Sequence, residues 1–200
     1  GSKTVTVSSA GFLSVGDYIV VIENAGFAQK VAVGQVSNIA SNVVTVDAWS
    51  GDQGSMSGSP AGGNDYVYRV SGTGLAFGTV TAGTENVTTA AASVVSTATT
   101  GYTLYIQGDG FLRSGSAAIT GVEDGAVSVG SEEYGASVTG TRAFGTGDMA
   151  VTSTQRAIAQ NATVSATVGD RVGMVFKLAT TASTAAGSYS QTVYYTLTAN

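Results

Sequence analysis

The sequence predicts an all-β protein in which an antiparallel β-sandwich follows a small β module. Gly, Ala, Val, Thr and Ser make up two-thirds of the 200 residues, whereas Leu, Glu and Lys together number only 14. Val and Thr favour strands, and the scarce residues are common helix formers. Short runs of alternating apolar and polar residues recur between turn residues, as in strands that bury one face. These observations argue against a helical bundle and a doubly wound α/β fold.

The first 70 residues are expected to form the small module. Alternating or continuously apolar runs predict strands at residues 4–7, 18–22, 42–46 and 66–70. The stretch 51–65 holds five glycines and the one proline of the chain, and it therefore predicts a long loop. A second glycine-containing joint at residues 71–74 places the boundary between the two parts near residue 71.

The second part, residues 71–200, is expected to form the sandwich. Clear alternation predicts strands at residues 102–107, 172–178 and 193–198, with glycine-containing turns between the runs. The segment 155–163 is compatible with a strand or with a short helix. The residues that we expect to be buried between the two sheets are Phe77, Leu104, Ile106, Met174, Phe176 and Leu197.

Lys177 lies on the opposite face of its strand from the apolar residues, so we expect it to point to solvent. An intramolecular isopeptide bond needs a desolvated lysine beside a protonated carboxyl group. The predicted exposure of Lys177 therefore argues against such a bond.

Three blocks of the second part resemble secreted surface β-sandwich proteins of bacteria. They read LAFGTV at residues 75–80, TGYTLYI at 100–106 and TAAGSYSQTVYYTLT at 184–198. Similar blocks occur in spore-coat-U and archaic fimbrial subunits and, more loosely, in WxL-type surface proteins. The resemblance implies an Ig-like or pilin-like sandwich that serves as an extracellular building block. It also implies assembly through strand pairing, because fimbrial members complete their sandwich with the N-terminal strand of a neighbour.

The composition argues against most catalytic chemistry. The chain has no His and no Cys, which excludes imidazole bases, thiol nucleophiles, Ser-His-Asp triads and thiolate or imidazole zinc sites. The eight basic residues are not clustered and no apolar run is long enough to span a membrane, so we expect neither nucleic acid nor a membrane span. We therefore expect a protein that is not an enzyme and needs no cofactor.

Carboxylates are the one class of metal ligand that the chain retains. A structural Ca²⁺ ion is the cofactor that they would suit, because Ca²⁺ takes oxygen ligands from loops. The candidate ligands are Asp109, Glu123, Asp124, Glu132 and Glu133. The same residues fit solvated turns on an acidic surface, which we favour because no spacing here matches a calcium-binding loop.

Two functions from different classes remain. The first is a secreted or cell-surface structural protein, a subunit of a pilus-like filament or surface layer whose partners are copies of itself. Its contact strand is expected at the alternating N-terminal residues Thr4, Val5, Thr6 and Val7. The alternative is an adhesin or carbohydrate-binding module that contacts a surface glycan through Trp49, Tyr66 and Tyr68, the aromatic residues that flank the predicted loop. The competing explanation of the N-terminal residues is an ordinary first strand of the small module. The competing explanation of the aromatic residues is ordinary packing in the core of that module.

Overall fold

The computed structural model describes residues 3–25, 29–53, 56 and 63–200. In these ranges the chain forms β-strands and no helix, which confirms the predicted all-β class. The strands, in chain order, are β1 Thr4–Thr6, β2 Tyr18–Glu23, β3 Lys30–Ala40, β4 Val43–Gly51, β5 Tyr66–Val70, β6 Glu85–Val94, β7 Tyr102–Gly108, β8 Leu112–Ser114, β9 Ala117–Gly121, β10 Glu133–Thr139, β11 Arg156–Asn161, β12 Asp170–Ala179 and β13 Val193–Ala199.

The first five strands form an antiparallel sheet in the order β1-β4-β3-β2-β5. Its inner strand β2 is apolar on both faces: Ile19 and Val21 join one core cluster, and Val20 and Ile22 join another. The strand at residues 18–22 is therefore buried from both sides, because apolar neighbours cover each face of this sheet. Most of the predicted loop, residues 54–55 and 57–62, lies outside the described residues.

The remaining strands form the two sheets of a sandwich-like fold. One sheet has the order β6-β12-β10-β9-β8 and the other has the order β11-β7-β13. The pairings are antiparallel except for the short parallel pair of β9 and β10. Between the sheets lies the largest core cluster, which includes Tyr102, Ile106, Ile158, Met174 and Phe176.

Strand β12 is buried along its whole length on both faces. Val172, Met174, Phe176 and Leu178 face the sandwich core, and Val175 on the opposite face packs with the first sheet. The close approach of the two sheets requires a glycine at position 173, where a Cβ atom would lie 2.4 Å from Cγ2 of Val33. The first sheet thus forms a third layer against the back of the sandwich.

The predicted strands are confirmed at all seven positions, although the alternation missed others. Strand β3 was missed because two register irregularities opposite β4 break its alternation. The ambiguous segment 155–163 is a strand, β11, over Arg156–Asn161. The segment 75–80, which the resemblance presented as an early strand, is not a strand.

The predicted core is correct in its centre and wrong at its margins. Leu104, Ile106, Met174 and Phe176 are buried as expected. Phe77 is only partly buried, at the edge of the cluster, where its ring meets Tyr134 edge-on. Leu197 was also expected in the core, but it is 49% exposed because β13 is the last strand of its sheet.

Replacing Phe176 with alanine tests the central part of this core. The side chain is 1% exposed and stacks on Tyr134, so Phe176→Ala should lower the free energy of unfolding by about 3–5 kcal/mol. Urea denaturation of the two proteins measures the difference.

The matched control is Phe111→Ala, because Phe111 is 47% exposed. We expect this variant to lose less than about 1 kcal/mol. Equal losses in the two variants would contradict the assignment of the core.

Candidate functional site

Strand β13 offers an unpaired edge with exposed apolar side chains. Of the strands that the structure describes, it pairs with β7 alone. Tyr195 and Leu197 lie opposite the buried residues Ile106 and Leu104, on the face that points towards the core. They nevertheless stay 40% and 49% exposed, and Tyr194 on the other face is 54% exposed. Backbone groups and apolar side chains are therefore both available along this edge.

Charge distinguishes β13 from most other sheet edges in the described part of the chain. The three sheets end at β1, β5, β6, β8, β11 and β13. Four of these strands carry a charged residue: Arg69 in β5, Glu85 in β6, Arg113 in β8 and Arg156 in β11. Charged side chains on edge strands suppress association between sheets. The two edge strands without a charged residue are β1 and β13.

The predicted contact residues of the N-terminus lie in the first sheet of their own chain. Thr4, Val5 and Thr6 pair with Thr45, Val44 and Val43 of β4, and the amide of Val7 continues this pairing by donating to the Asn42 carbonyl at 2.9 Å. Val5 is buried in the core on one face of the sheet. Among the described strands, β1 is the last of its sheet.

The three aromatic residues proposed for glycan contact do not share a surface. Trp49 packs with the core cluster on one face of the first sheet, and Tyr68 packs with the cluster on the other face. Tyr66 lies beside Tyr68, with ring centroids 5.9 Å apart. The Tyr68 hydroxyl donates to the Val87 carbonyl at 3.3 Å, so this ring belongs to the contact between the first sheet and the sandwich.

The five candidate calcium ligands make separate local contacts. Asp109 pairs with Arg113 at 2.9 Å, and Asp124 accepts a hydrogen bond from the Ala126 amide. Glu132 accepts from the Thr184 hydroxyl, and Glu133 accepts from the Ser128 amide. Across the ranges that the structure describes, no three acidic side chains lie close enough together to bind one metal ion.

Lys177 is buried, and the prediction that it points to solvent was wrong. Beyond Val175, this face of β12 is covered by loops of the sandwich itself: Val122 and Val127 pack against Ala179, and Asp148 contacts Lys177. Its side chain is 5% exposed, and its Nζ atom lies 3.0 Å from Oδ1 and 3.1 Å from Oδ2 of Asp148, a residue whose side chain is 3% exposed. The pair borders a cleft of about 410 Å³ between the first sheet and the sandwich.

The loop before Asp148 holds its carboxylate in place. Gly147 adopts a positive φ of 80°, and a Cβ atom at this position would lie 2.5 Å from the Gly125 carbonyl oxygen. The Asp148 amide donates to that same oxygen at 2.7 Å. The Val127 amide in turn donates to Oδ2 at 2.8 Å, so the orientation of the carboxylate is fixed from two sides.

Glu85 lies beside this buried pair. It is opposite Ala179 in the pairing of β6 with β12, two residues along the same face from Lys177. Its Oε1 atom is buried and has no hydrogen-bond partner among the described residues. Burial raises the pKa of Glu85; the charge of Lys177 acts against this shift, and the charge of Asp148 adds to it.

A second ion pair joins the first sheet to β12. The buried Arg171 guanidinium makes two contacts with the Asp47 carboxylate, at 2.6 and 2.5 Å, and donates to the Ala48 carbonyl at 2.9 Å. It also lies 5.3 Å from the centre of the Tyr18 ring. Hydrogen bonding to Arg171 lowers the pKa of Asp47 from its ordinary value of 3.8 to about 2, although partial burial acts in the opposite direction.

Sequence reasoning missed both ion pairs and Glu85. Alternation shows which residues of β12 share a face, but it does not show whether a further sheet covers the second face. The sequence contained one sign that this face is covered. Gly173 and Val175 lie on the same face of the strand as the charged residues. A small and an apolar residue on the supposed solvent face indicate a covered surface.

Comparison of the chain with protein-family models, with curated proteins and with solved structures finds no match. Within the residues that the structure describes, no helix has the length and apolar character needed to cross a membrane.

The substitution Asp47→Asn tests the ion pair between the layers. It removes the charge that faces the buried Arg171, so we expect a loss of about 2–3 kcal/mol in the free energy of unfolding near neutral pH. The pKa of Asp47 is lowered in the folded chain, so its contribution is complete above about pH 4 and disappears as the pH falls towards 2. Urea denaturation across this range should show the two proteins converging.

Asp109→Asn is the matched control, because Asp109 makes a similar two-point contact with Arg113 on the surface. Exposed pairs contribute little, so this variant should unfold nearly as the parent does. A difference between parent and Asp47→Asn that stays constant down to about pH 2 would contradict the assignment.

Proposed function

We propose that the chain is a structural subunit of an extracellular filament or surface layer, and that its copies associate through β-strand pairing. The observation that carries the proposal is the uncharged, unpaired edge of β13 (Val193–Ala199), which exposes Tyr194, Tyr195 and Leu197. An exposed edge without charge, proline or bulge favours pairing with another strand. The occupant that we propose is β1 (Thr4–Thr6) of a second copy.

The chemistry of the two edges supports this choice of partner. Among the described edge strands, only β1 and β13 lack a charged residue. In this arrangement β1 keeps its pairing with β4 and the burial of Val5, and it uses only its outer side for the neighbour. Association therefore does not require the first sheet to open.

The position of the edges favours an open assembly. They belong to different sheets, so a β1–β13 contact joins two different surfaces of identical chains. Such a head-to-tail contact leaves a free β1 edge at one end of the complex and a free β13 edge at the other. Further copies can add at these ends, or the ends can join, so the contact produces filaments or rings rather than closed twofold dimers.

This proposal agrees with the resemblance to secreted fimbrial and spore-coat-U subunits, and it places the protein outside the cell or at its surface. Carbohydrate binding through Trp49, Tyr66 and Tyr68 stays a prediction. No observation favours it over assembly, because the first of these residues faces away from the other two.

A charge on the β13 edge should prevent association. Thr196 is exposed and pairs with Tyr105 on one side only, so Thr196→Lys should weaken self-association at least about tenfold. Sedimentation velocity over a concentration series, with electron microscopy of the concentrated protein, measures the effect. The control is Gln160→Lys on β11, where the Gln160 backbone amide already donates to the Arg142 carbonyl at 3.0 Å, so this variant should associate as the parent does.

Mixing two variants tests the head-to-tail arrangement. Thr6→Lys should block the β1 edge, and Thr196→Lys should block the β13 edge. At concentrations where the parent associates, each variant alone should stay monomeric, whereas an equimolar mixture should form a dimer and no longer species. A parent chain that stays monomeric at all concentrations would overturn the proposal, and so would self-association of either variant as strong as that of the parent.

A further inference from the structure

We propose that Lys177 and Asp148 form an intramolecular isopeptide bond, with Glu85 moving the protons. The bond would link β12 covalently to the segment that precedes β11, beside the cleft between the first sheet and the sandwich. The inference stands on this buried cluster and does not depend on the assembly proposed above.

The geometry brings the reacting atoms face to face. Nζ lies at nearly equal distances from both oxygens of Asp148, 3.0 and 3.1 Å, so the nitrogen contacts the carboxyl group with which it would form the amide. The Val127 amide binds Oδ2, whereas Oδ1 is held by no backbone amide of the described residues. Oδ1 is therefore the oxygen that can leave.

Glu85 is placed to carry the protons. It lies on the neighbouring strand, on the same face as Lys177, and its buried Oε1 has no hydrogen-bond partner among the described residues. Burial raises its pKa, which favours a carboxyl group that can hold a proton in the folded chain. A general acid–base must accept and return protons during condensation.

The reaction balances without any further reagent. The Lys177 ammonium gives one proton to the Asp148 carboxylate through Glu85, which leaves a neutral amine and a neutral carboxylic acid. The amine lone pair then attacks the Asp148 carbonyl carbon and forms the C–N bond. A second proton passes from the nitrogen through Glu85 to the departing hydroxyl, the C–O bond breaks, and one water molecule leaves.

The surroundings favour the amide over the ion pair. Both side chains are at most 5% exposed, so their charges have lost most of their hydration. Condensation replaces the two charges with a neutral amide and releases water to the solvent. Holding the partners in one orientation also provides the effective concentration that an amine and an acid lack in dilute solution.

The test is the intact mass of the purified full chain under denaturing conditions, after prolonged incubation in the folded state near neutral pH. We expect a mass lower than that of the sequence by one water molecule. Peptide mapping should find one branched peptide that contains Lys177 and Asp148. A full mass would overturn the proposal and would identify the pair as a plain salt bridge.

Three variants locate the bond. Lys177→Arg keeps the positive charge, but it should show the full mass of its own sequence. Loss of water in this variant would assign the mass change to another site, such as a succinimide at Asp109-Gly110 or Asp124-Gly125, and would overturn the proposal. Asp148→Asn should lose ammonia instead of water, and loss of water would contradict the mechanism. Glu85→Gln should slow bond formation about 100-fold or more, and an unchanged rate would remove Glu85 from the mechanism.

Discussion

The burial of β12 on both faces is the constraint on which the rest of the structure depends. This strand lies between the first sheet and the core of the sandwich, and all ten of its residues are buried. A strand in this position needs apolar side chains on one face and a closely fitting surface on the other. Val172, Met174, Phe176 and Leu178 satisfy the first condition. Gly173 and Val175 satisfy the second, because they let the first sheet approach.

The same constraint explains the ion pairs. Arg171 and Lys177 lie on the face of β12 that points away from the sandwich core, and a buried charge is costly unless a partner faces it. Each therefore contacts a carboxylate: Asp47 belongs to the first sheet, and Asp148 belongs to the loop before β11. Asp47 stays partly exposed and retains its charge, as its lowered pKa indicates. Asp148 is shielded from water, so the uncharged amide is favoured there over the ion pair.

Sequence reasoning succeeded where a strand alternates cleanly and failed where the outcome depends on neighbouring layers. Alternation predicted β7, β12 and β13 and the burial of Leu104, Ile106, Met174 and Phe176. It could not predict that Lys177 is buried, because that follows from the packing of distant loops over the strand. It also could not predict that Leu197 is exposed, because the position of a strand within its sheet leaves no periodic signal. The acidic residues looked like one group only because they are close in the sequence.

Hydrogen–deuterium exchange of the monomeric chain tests most directly whether β12 unites the three layers. The account predicts that the amides of β12, β2 and β3 exchange slowest and at similar rates, since they are exposed only by global unfolding. The amides of β13 that face outward should exchange fastest among the longer strands. Exchange of β12 at the rate of β13, or loss of protection in the first sheet while β12 stays protected, would contradict the account.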